Sequence, residues 1–312
     1  MSAGRGRTTP AGLLVVAKAA ARAGADVLAE HWTGHHPAVP LTAGQIGADT
    51  KSSGSDWVTD YDRRAEDAVR RVITAYRPND ELTGEEYGRT VPDVPSGLRW
   101  SIDPLDGTTN FIRGVPQFCT SVAVAGPLDA GTAAALRARG EAAEEGQVRW
   151  LAGAVVAPAL GRTWSAAAGG GAWSTLEATT AGVHLEDPSA PVRLTGPVPG
   201  RSGRLLATGF GYQAERRRLQ LAALEELLPA FGDVRRIGSA ALDLCMVADG
   251  ALDAYAEYGT QEYDWAAGAL IAEEAGVPVS RPASGDGTHH PDWMVAGDVG
   301  PAALDRVRAA LA

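Results

Sequence analysis

The stretch Trp100-Ser-Ile-Asp-Pro-Leu-Asp-Gly-Thr-Thr-Asn-Phe111 decides how this 312-residue chain folds. Apolar residues alternate with polar ones from Leu98 to Ile102, and this period of two predicts a strand. Pro104 has no N–H group to donate to a neighbouring strand, and it holds the residue before it in an extended conformation. We therefore expect the strand to end at Asp103.

Two carboxylates and a run of small residues follow that strand. Asp103 and Asp106 are three positions apart, and Gly107 opens a Gly-Thr-Thr sequence that lets backbone N–H groups approach a ligand closely. A helical turn that begins at Gly107 would favour an anion at its N-terminus. Carboxylates bind hard cations, so the stretch indicates a site for metal and phosphate. A surface turn of the Asx type is the alternative that this stretch alone leaves open.

The composition limits the class of protein. The formal net charge of -10 opposes nucleic-acid binding by phosphate neutralisation, but it allows a small phosphorylated substrate. Hydrophobic residues make up 45% of the chain and charged residues 21%, which is typical of a globular protein. The two cysteines, Cys119 and Cys245, lie in apolar runs. This placement predicts buried free thiols and excludes a metal site built from cysteines.

We expect neither a signal peptide nor a membrane span. The apolar run Leu13–Val16 is followed closely by Lys18 and Arg22, whereas an export signal needs a longer uncharged core and a membrane span a longer one still. The expected location is the cytoplasm, without membrane contact.

Periodicity and turn residues predict an α/β chain. A polar connection at 179–200 divides an N-terminal half, about 10–180, from a C-terminal half, about 200–312, and residues 127–148 form an inserted helix and loop. The predicted helices cover residues 10–32, 60–76, 214–228, 239–248, 264–275 and 301–311. The predicted strands cover residues 81–83, 98–103, 118–125, 150–157, 162–167, 171–174, 205–208, 234–236, 252–255, 277–280 and 293–296, and residues 33–55 are expected to be loop.

Five acidic residues occupy positions where α/β folds collect ligands. Glu85, Asp103 and Asp106 follow predicted strand ends, whereas Asp62 and Asp264 fall in the first turns of predicted helices. Carboxylates gathered in one place raise each other's pKa, so a cluster of them needs a counter-charge. A donor set made only of oxygen atoms favours Mg²⁺ over Zn²⁺. Taken singly, each acid is better explained as a helix cap or a solvated loop residue.

Separated motifs resemble those of the inositol monophosphatase family, over about residues 10–311. The Trp100–Phe111 stretch is the most specific of them. The others are Lys51 with Asp56-Trp-Val-Thr-Asp-Tyr-Asp62 and Glu66, Gly84-Glu-Glu86, Ile237-Gly-Ser-Ala-Ala241, Asp253-Ala-Tyr-Ala-Glu257, and Tyr263-Asp-Trp-Ala-Ala-Gly-Ala-Leu-Ile-Ala-Glu-Glu-Ala-Gly276.

The resemblance implies a layered α/β (α+β) fold, a five-layer α/β/α/β/α sandwich of the sugar-phosphatase type, with the whole chain, 1–312, as a single domain. It implies a phosphoric monoester hydrolase that uses two to three Mg²⁺ ions and in-line attack by metal-activated water, without a phosphoenzyme. It also implies inhibition by Li⁺ and, because relatives often pair, a homodimer.

The resemblance also implies roles for individual residues. A first ion goes to Glu85, Asp103 and the main-chain carbonyl of Leu105, a second to Asp103, Asp106 and Asp264, and a third lies loosely near Glu85. Catalytic roles fall to Glu85, Thr108 and Asp62, of which the last two orient the attacking water. Substrate contacts fall to Gly107, Thr108, Gly238, Ser239, Ala240, Glu257 and Asp264, where the N–H groups of Gly107 and Thr108 receive the phosphate and Glu257 bonds substrate hydroxyls.

The expected substrate is an inositol or related sugar monophosphate, because the Gly-Thr-Thr-Asn-Phe ending is similar to that branch of the family. Residues 111–116 resemble the histidinol-phosphatase branch more closely, and Tyr263 stands where relatives commonly carry Trp. The 127–148 insertion is also longer than usual. Histidinol phosphate, fructose 1,6-bisphosphate and adenosine 3′,5′-bisphosphate therefore remain alternative substrates, and a non-catalytic, metal-binding member of the fold is a third reading.

Overall fold

The structure, a computed structural model, describes residues 9–33, 47, 49–50, 57–176, 190–282, 292–300, 303 and 305. Its helices are α1 (Pro10–Thr33), α2 (Asp60–Tyr76), α3 (Thr108–Arg113), α4 (Ala130–Ala138), α5 (Ala214–Leu227), α6 (Ala240–Ala248) and α7 (Glu262–Glu274). Its strands are β1 (Asp49–Thr50), β2 (Trp57–Val58), β3 (Glu81–Gly84), β4 (Gly88–Thr90), β5 (Arg99–Asp106), β6 (Cys119–Pro127), β7 (Val148–Ala157), β8 (Arg162–Ala167), β9 (Gly171–Leu176), β10 (Val192–Arg193), β11 (Leu205–Ala207), β12 (Asp233–Arg235), β13 (Ala254–Tyr258), β14 (Val279–Ser280) and β15 (Trp293–Gly297). Within these ranges no helix combines the length and hydropathy needed to cross a lipid bilayer.

The N-terminal half builds an eight-stranded sheet in the order β10-β9-β8-β7-β6-β5-β3-β4. Its pairs are antiparallel except β3 and β5, which run parallel, with Gly84 opposite Ile102. Because the two parallel strands end at the same edge, the residues that follow them meet there. β6 is buried along nearly its whole length, since helices cover both faces of the sheet.

The C-terminal half builds a five-stranded sheet in the order β12-β11-β13-β15-β14. β11 lies parallel to β12 and β13, while β15 is antiparallel to β13 and β14. Helices α6 and α7 pack between the two sheets, α1 and α2 cover the outer face of the large sheet, and α5 contacts β13 of the small one. This order confirms the predicted layered α/β/α/β/α fold.

The distribution of apolar residues along each helix matches its position in the layered fold. α2 carries its buried residues along one stripe and charged residues on the other, as a helix at the surface must. α6 and α7 are buried on nearly every side, because both sheets press on them. Cys119 and Cys245 are buried free thiols, as predicted.

The prediction that Pro104 ends the central strand is wrong. β5 continues to Asp106, because its pairing with β6 shifts register between Asp103 and Asp106. Such an irregularity accommodates a residue that cannot donate a ladder hydrogen bond. The Pro104 carbonyl accepts a hydrogen bond from the Thr120 hydroxyl at 2.9 Å, which fixes the irregular segment.

Other predicted elements differ by a few residues at their ends. The segment 33–55, predicted to be loop, contains β1, because Asp49 and Thr50 pair with β2. The strand predicted over 277–280 is confined to β14. Most of the predicted helix 301–311 and all of Lys51 lie outside the described residues.

A buried carboxylate anchors the start of β5. Asp80 accepts hydrogen bonds from the Trp100 indole N–H at 2.9 Å, from Arg77 Nε at 2.8 Å and from the Ser96 hydroxyl at 2.6 Å. Trp100 itself is fully buried. A single carboxylate therefore ties the end of α2 to the strand that carries Asp103.

Replacement of Asp80 should destabilise the fold. We expect Asp80→Ala to lower the free energy of unfolding by about 3 kcal/mol, since it leaves buried donors without an acceptor. The exposed Asp93→Ala should change it by less than about 0.5 kcal/mol. Urea unfolding of both variants measures the difference, and equal midpoints would contradict this role for Asp80.

Candidate active site

The carboxylates that the sequence singles out are placed by strand ends and helix starts. Glu85 directly follows β3, and its N–H donates to the Ile102 carbonyl at 3.1 Å, so it lies beside the end of β5. Asp103 and Asp106 lie in the last four residues of β5. Two parallel strands thus deliver three carboxylates to one edge of the large sheet.

The C-terminal half adds hydrogen bonds and a fourth carboxylate. Asp106 Oδ2 accepts from the Ser239 hydroxyl and from the Ala241 N–H, both at 2.7 Å, at the start of α6. Asp264 lies in the first turn of α7, where its Oδ2 accepts the Gln261 N–H at 2.6 Å in a capping box. These bonds bring the N-termini of α6 and α7 to the strand ends.

Burial and the crowding of negative charge raise the pKa values of Asp103, Asp106 and Asp264. Burial raises the pKa of Asp103, and the neighbouring carboxylates of Glu85, Asp106 and Asp264 raise it further. Burial likewise raises the pKa of Asp264, with added repulsion from Asp106 and Glu85. Burial raises the pKa of Asp106 to about 6, while the hydrogen bonds from Ser239 and Ala241 oppose the rise. A bound cation would relieve this repulsion.

The donor set fits Mg²⁺. Glu85, Asp103, Asp106 and Asp264 supply only carboxylate oxygens, and the Leu105 carbonyl lies among them, 3.1 Å from the Thr108 hydroxyl oxygen. Across the described ranges, no three acidic, cysteine or histidine side chains already converge on one ion position. Asp106 and Asp264 instead direct an oxygen each at N–H donors. Their other oxygens supply the hard ligands that Mg²⁺ prefers.

A hydrogen-bonded chain runs behind the carboxylates. The Thr108 hydroxyl lies 3.2 Å from Asp62 Oδ1, and Asp62 Oδ2 accepts from the N–H and hydroxyl of Thr59 at 2.7 and 2.6 Å. Asp62 is buried, so Thr108 alone of the three faces the cavity. A threonine hydroxyl that donates to a carboxylate keeps lone pairs for a water.

Gly107 shapes the turn between the strand and α3. Its φ is +97°, a left-handed conformation that favours glycine, and a Cβ would come within 2.7 Å of the Gln117 carbonyl. Asn110 holds the same turn: its side-chain amide donates to the Gln117 carbonyl at 2.7 Å and to the Ile237 carbonyl at 2.9 Å. The second of these bonds joins the two halves at the site.

One cavity of about 900 Å³ collects the predicted residues. Every one of them lines it except Asp62, which lies behind Thr108: Glu85, Asp103, Leu105, Asp106, Gly107, Thr108, Gly238, Ser239, Ala240, Glu257 and Asp264. Residues from both halves of the chain therefore share a single concave surface.

Glu257 stands on the C-terminal side of this cavity. Its Oε2 accepts the Tyr255 hydroxyl at 3.0 Å, and a Cβ on Gly209 would collide with the carboxylate. Burial raises its pKa to about 7, although the Tyr255 hydroxyl and Arg236 lower it. Near neutral pH it is therefore able to accept or donate a hydrogen bond.

Several charged residues of the cavity are not among the site residues that the sequence predicts. Arg113, Arg216, Arg217, Arg236 and Asp243 line it together with the acids. Arg236 is next to the quoted Ile237-Gly-Ser motif, which was the signal that could have drawn attention to it. Arg113 and Asp243 each lie two residues beyond a quoted motif, whereas Arg216 and Arg217 have no local signal, because the fold alone brings them to this surface.

A buried glutamate positions the loop that carries Glu85. Glu66 accepts the Glu86 N–H at 2.7 Å and Arg70 Nε at 2.6 Å. Gly84 makes room for it, since a Cβ there would collide with its carboxylate. The carboxylate of Glu66 thus fixes the backbone after Glu85 and packs against Gly84 before it.

Comparison with known proteins identifies the relatives of this chain. The sequence profile described as "Inositol monophosphatase family" matches residues 10–132 and 143–310. The chain belongs to the inositol monophosphatase family. The unmatched residues 133–142 fall inside the predicted insertion 127–148. They form the second part of α4 and the start of the loop that follows it. Family membership confirms the prediction of a phosphoric monoester hydrolase.

The relatives carry more than one name. The chain is 41% identical over 243 residues to an "Inositol-1-monophosphatase" of Mycobacterium leprae, covering 77% of this chain and 73% of the relative. It is 31% identical over 267 residues to a "Nus factor SuhB" of Vibrio cholerae, covering 85% of each. A solved structure described as "Mycobacterium tuberculosis SuhB" superposes with a TM-score of 0.67 at 33% identity, covering 98% of this chain and 97% of that one.

Loss of Glu66 should weaken metal binding without touching a ligand. We expect Glu66→Ala to weaken Mg²⁺ binding by about tenfold, because outer-shell partners orient the ligands they hold. Isothermal titration of Mg²⁺ measures the affinity directly. The exposed Glu225→Ala is the control, and an unchanged affinity in Glu66→Ala would contradict the positioning role.

The raised pKa of Glu257 predicts a pH-dependent effect on stability. A folded-state pKa above the unfolded value means that the folded protein holds the proton more tightly, so ionisation of Glu257 costs stability as pH rises from about 4.5 to about 7. Glu257→Gln removes this cost. In metal-free buffer, its thermal midpoint relative to the parent protein should therefore rise between pH 5 and pH 8.

The size of this effect has an upper limit of about 3 kcal/mol. The same change at the exposed Glu225 should give a difference that does not depend on pH. A pH-independent difference for Glu257→Gln would show that its carboxyl does not titrate in this range.

Proposed function

We propose that this protein hydrolyses a phosphate monoester with the aid of Mg²⁺, and that the substrate is an inositol or related sugar monophosphate. The observation that carries the proposal is the gathering of four carboxylates, from two strand ends and the start of α7, around a cavity that the Thr108–Asp62 pair also reaches. Membership of the inositol monophosphatase family supports the same chemistry.

The proposed ligands follow the geometry of the cavity. Glu85, Asp103 and the Leu105 carbonyl would hold a first ion, and Asp103, Asp106 and Asp264 a second. A third ion near Glu85 would make up the expected two to three. Bound Mg²⁺ supplies charge neutralisation for the phosphate and a lower pKa for water.

Side chains and backbone N–H groups of the protein would orient the attacking water and bind the phosphate. The Asp62 carboxylate accepts a hydrogen bond from the Thr108 hydroxyl, which leaves the lone pairs of that hydroxyl directed at the cavity. A water that donates to Thr108 and lies near Glu85 is oriented for in-line attack on phosphorus, without a phosphoenzyme. The N–H groups of Gly107 and Thr108 would receive the phosphate oxygens.

The C-terminal side of the cavity would bind the rest of the substrate. Gly238, Ser239 and Ala240 line that side, and Glu257 is placed to bond substrate hydroxyls. The complete set of acids speaks against a non-catalytic member of the fold, since a protein without turnover has no need of them all.

Several broader properties belong to the same proposal. The chain would act as a single domain, with most metal ligands in the half at about 10–180 and Asp264 and the substrate contacts in the half at about 200–312. It would be a cytoplasmic homodimer that binds neither nucleic acid nor membranes, and Li⁺ would inhibit it.

Asp103 should be indispensable. It is the one carboxylate assigned to two ions, so we expect Asp103→Asn to lower kcat/KM for inositol 1-phosphate at least about a hundredfold. The exposed Asp93→Asn should retain the parent activity. Phosphate release in the presence of Mg²⁺ measures both, and EDTA should abolish it.

Full activity in EDTA, or in Asp103→Asn, would contradict the proposed mechanism. Histidinol phosphate, fructose 1,6-bisphosphate and adenosine 3′,5′-bisphosphate, assayed beside inositol 1-phosphate, would show which substrate is preferred.

A further inference from the structure

The cavity has a basic side that the proposed reaction does not use. Arg113, Arg216, Arg217 and Arg236 line the same surface as the metal-binding carboxylates, in a chain with a formal net charge of -10. The carboxylates are assigned to cations and the scissile phosphate to those cations. The four guanidinium groups are therefore left without a role.

Arg236 lies exposed beside the metal-binding carboxylates of the cavity, without a direct counter-ion. Among the described residues, its guanidinium has no hydrogen bond and no carboxylate within ion-pair distance. Gly238, two residues on, has a φ of +96°, and a Cβ there would collide with the Arg236 guanidinium. The Ser239 hydroxyl that follows bonds Asp106 at 2.7 Å, so the segment carrying Arg236 is fixed to the metal site.

Arg216 and Arg217 are held by backbone carbonyls, which leaves their charge unneutralised. Arg216 Nη1 donates to the Gly259 carbonyl at 3.2 Å, and Arg217 Nε donates to the Gly211 carbonyl at 2.8 Å. A Cβ on Gly259 would come within 3.0 Å of the Arg216 guanidinium carbon. Each guanidinium keeps further N–H groups for another acceptor.

These arginines do not serve as partners for the buried acids of the cavity. Elsewhere this protein pairs buried acids directly, as Arg70 does with Glu66 at 2.6 Å and Arg139 with Glu274 at 2.7 Å. Arg216 and Arg236 influence Glu257 only through space, and the hydrogen bond to that carboxylate comes from Tyr255. The geometry therefore leaves the guanidinium groups available to a ligand.

We infer that Arg216 and Arg236, with Arg113 and Arg217 at the rim, form a second anion-binding subsite. The inference rests on the proposed metal-dependent hydrolysis and replaces the simple sugar monophosphate with a more highly charged substrate: the substrate carries a second phosphate or a carboxylate besides the phosphate that is hydrolysed. Guanidinium groups bind both kinds of anion through charge-assisted hydrogen bonds. A cavity of about 900 Å³ has room for such a molecule.

Two matched pairs of substrates test the subsite. Fructose 1,6-bisphosphate against fructose 1-phosphate tests a second phosphate, and 6-phosphogluconate against glucitol 6-phosphate tests a carboxylate. In at least one pair, kcat/KM should favour the doubly anionic member by about tenfold or more. The pair that shows the preference identifies the anion.

The variants Arg236→Gln and Arg216→Gln should each lower that preference by about tenfold. Arg235→Gln is the matched control, because Arg235 is the adjacent residue and is exposed like Arg236, but pairs with Asp233 at 2.6 Å and does not line the cavity. It should keep the preference of the parent protein. A parent protein without preference in either pair, or variants that keep the preference, would overturn the inference.

Binding of inorganic phosphate in EDTA separates this inference from the proposed function. Without metal, the carboxylates repel an anion, so calorimetric binding should depend on the arginines and weaken by about tenfold in Arg236→Gln. Absence of binding, or equal binding by the parent and Arg236→Gln, would overturn the subsite even in an active enzyme. Hydrolysis of no phosphomonoester would overturn the proposed function, while arginine-dependent phosphate binding would still support the subsite.

Discussion

The structure depends on holding several carboxylates close together in a place that is largely shielded from water. Asp103 is buried, Asp106 and Asp264 are half-buried beside it, and the loss of hydration raises the pKa of each. β5 supplies only Asp103 and Asp106, so Asp264 must come from another element. The carboxylates come together because two parallel strands end and one helix begins at the same point. N–H and hydroxyl donors offset part of the repulsion between them.

The same arrangement explains why the two halves must meet where they do. The Asn110 amide donates to the Ile237 carbonyl, and the Ser239 hydroxyl donates to Asp106, so hydrogen bonds cross between the halves at the site. Arg99 of β5 also forms a bidentate pair with Glu262 at the start of α7. Each of these contacts fixes an element end that carries a carboxylate. Any shift between the halves would separate Asp264 from Asp103.

Local patterns predicted much of this structure. The alternation around Trp100, the helical face of α2 and the acids at element ends are all short-range signals, and the structure has the corresponding elements close to the predicted bounds. The layered fold followed from strand and helix alternation together with the resemblance of the motifs. All predicted site residues except Asp62 share one cavity, and most of them lie near a strand end or a helix start, a position that the sequence indicates.

The failures have a common physical cause, since they depend on partners distant in sequence. Pro104 stays within β5 because β6 shifts register opposite it, and the Thr120 hydroxyl satisfies its carbonyl. The residues around Pro104 in the sequence do not predict the register shift or the hydrogen bond from Thr120. Arg216 likewise reaches the cavity only because the loops before α5 and before α7 come together.

Glycines near the cavity show how the backbone decides which charges face a ligand. Gly209 leaves room for Glu257 and Gly238 leaves room for Arg236, and in each case a Cβ would displace the charged group. Both glycines belong to the C-terminal half, whereas Glu85, Asp103 and Asp106 are fixed by the N-terminal sheet. In the proposed function, the groups for phosphate chemistry, Asp264 excepted, are therefore separated from the groups that would bind the rest of the substrate. Such a division allows the second set to change while the acids stay in place, which is consistent with a charged side chain such as Arg236 lying next to a motif shared with the family.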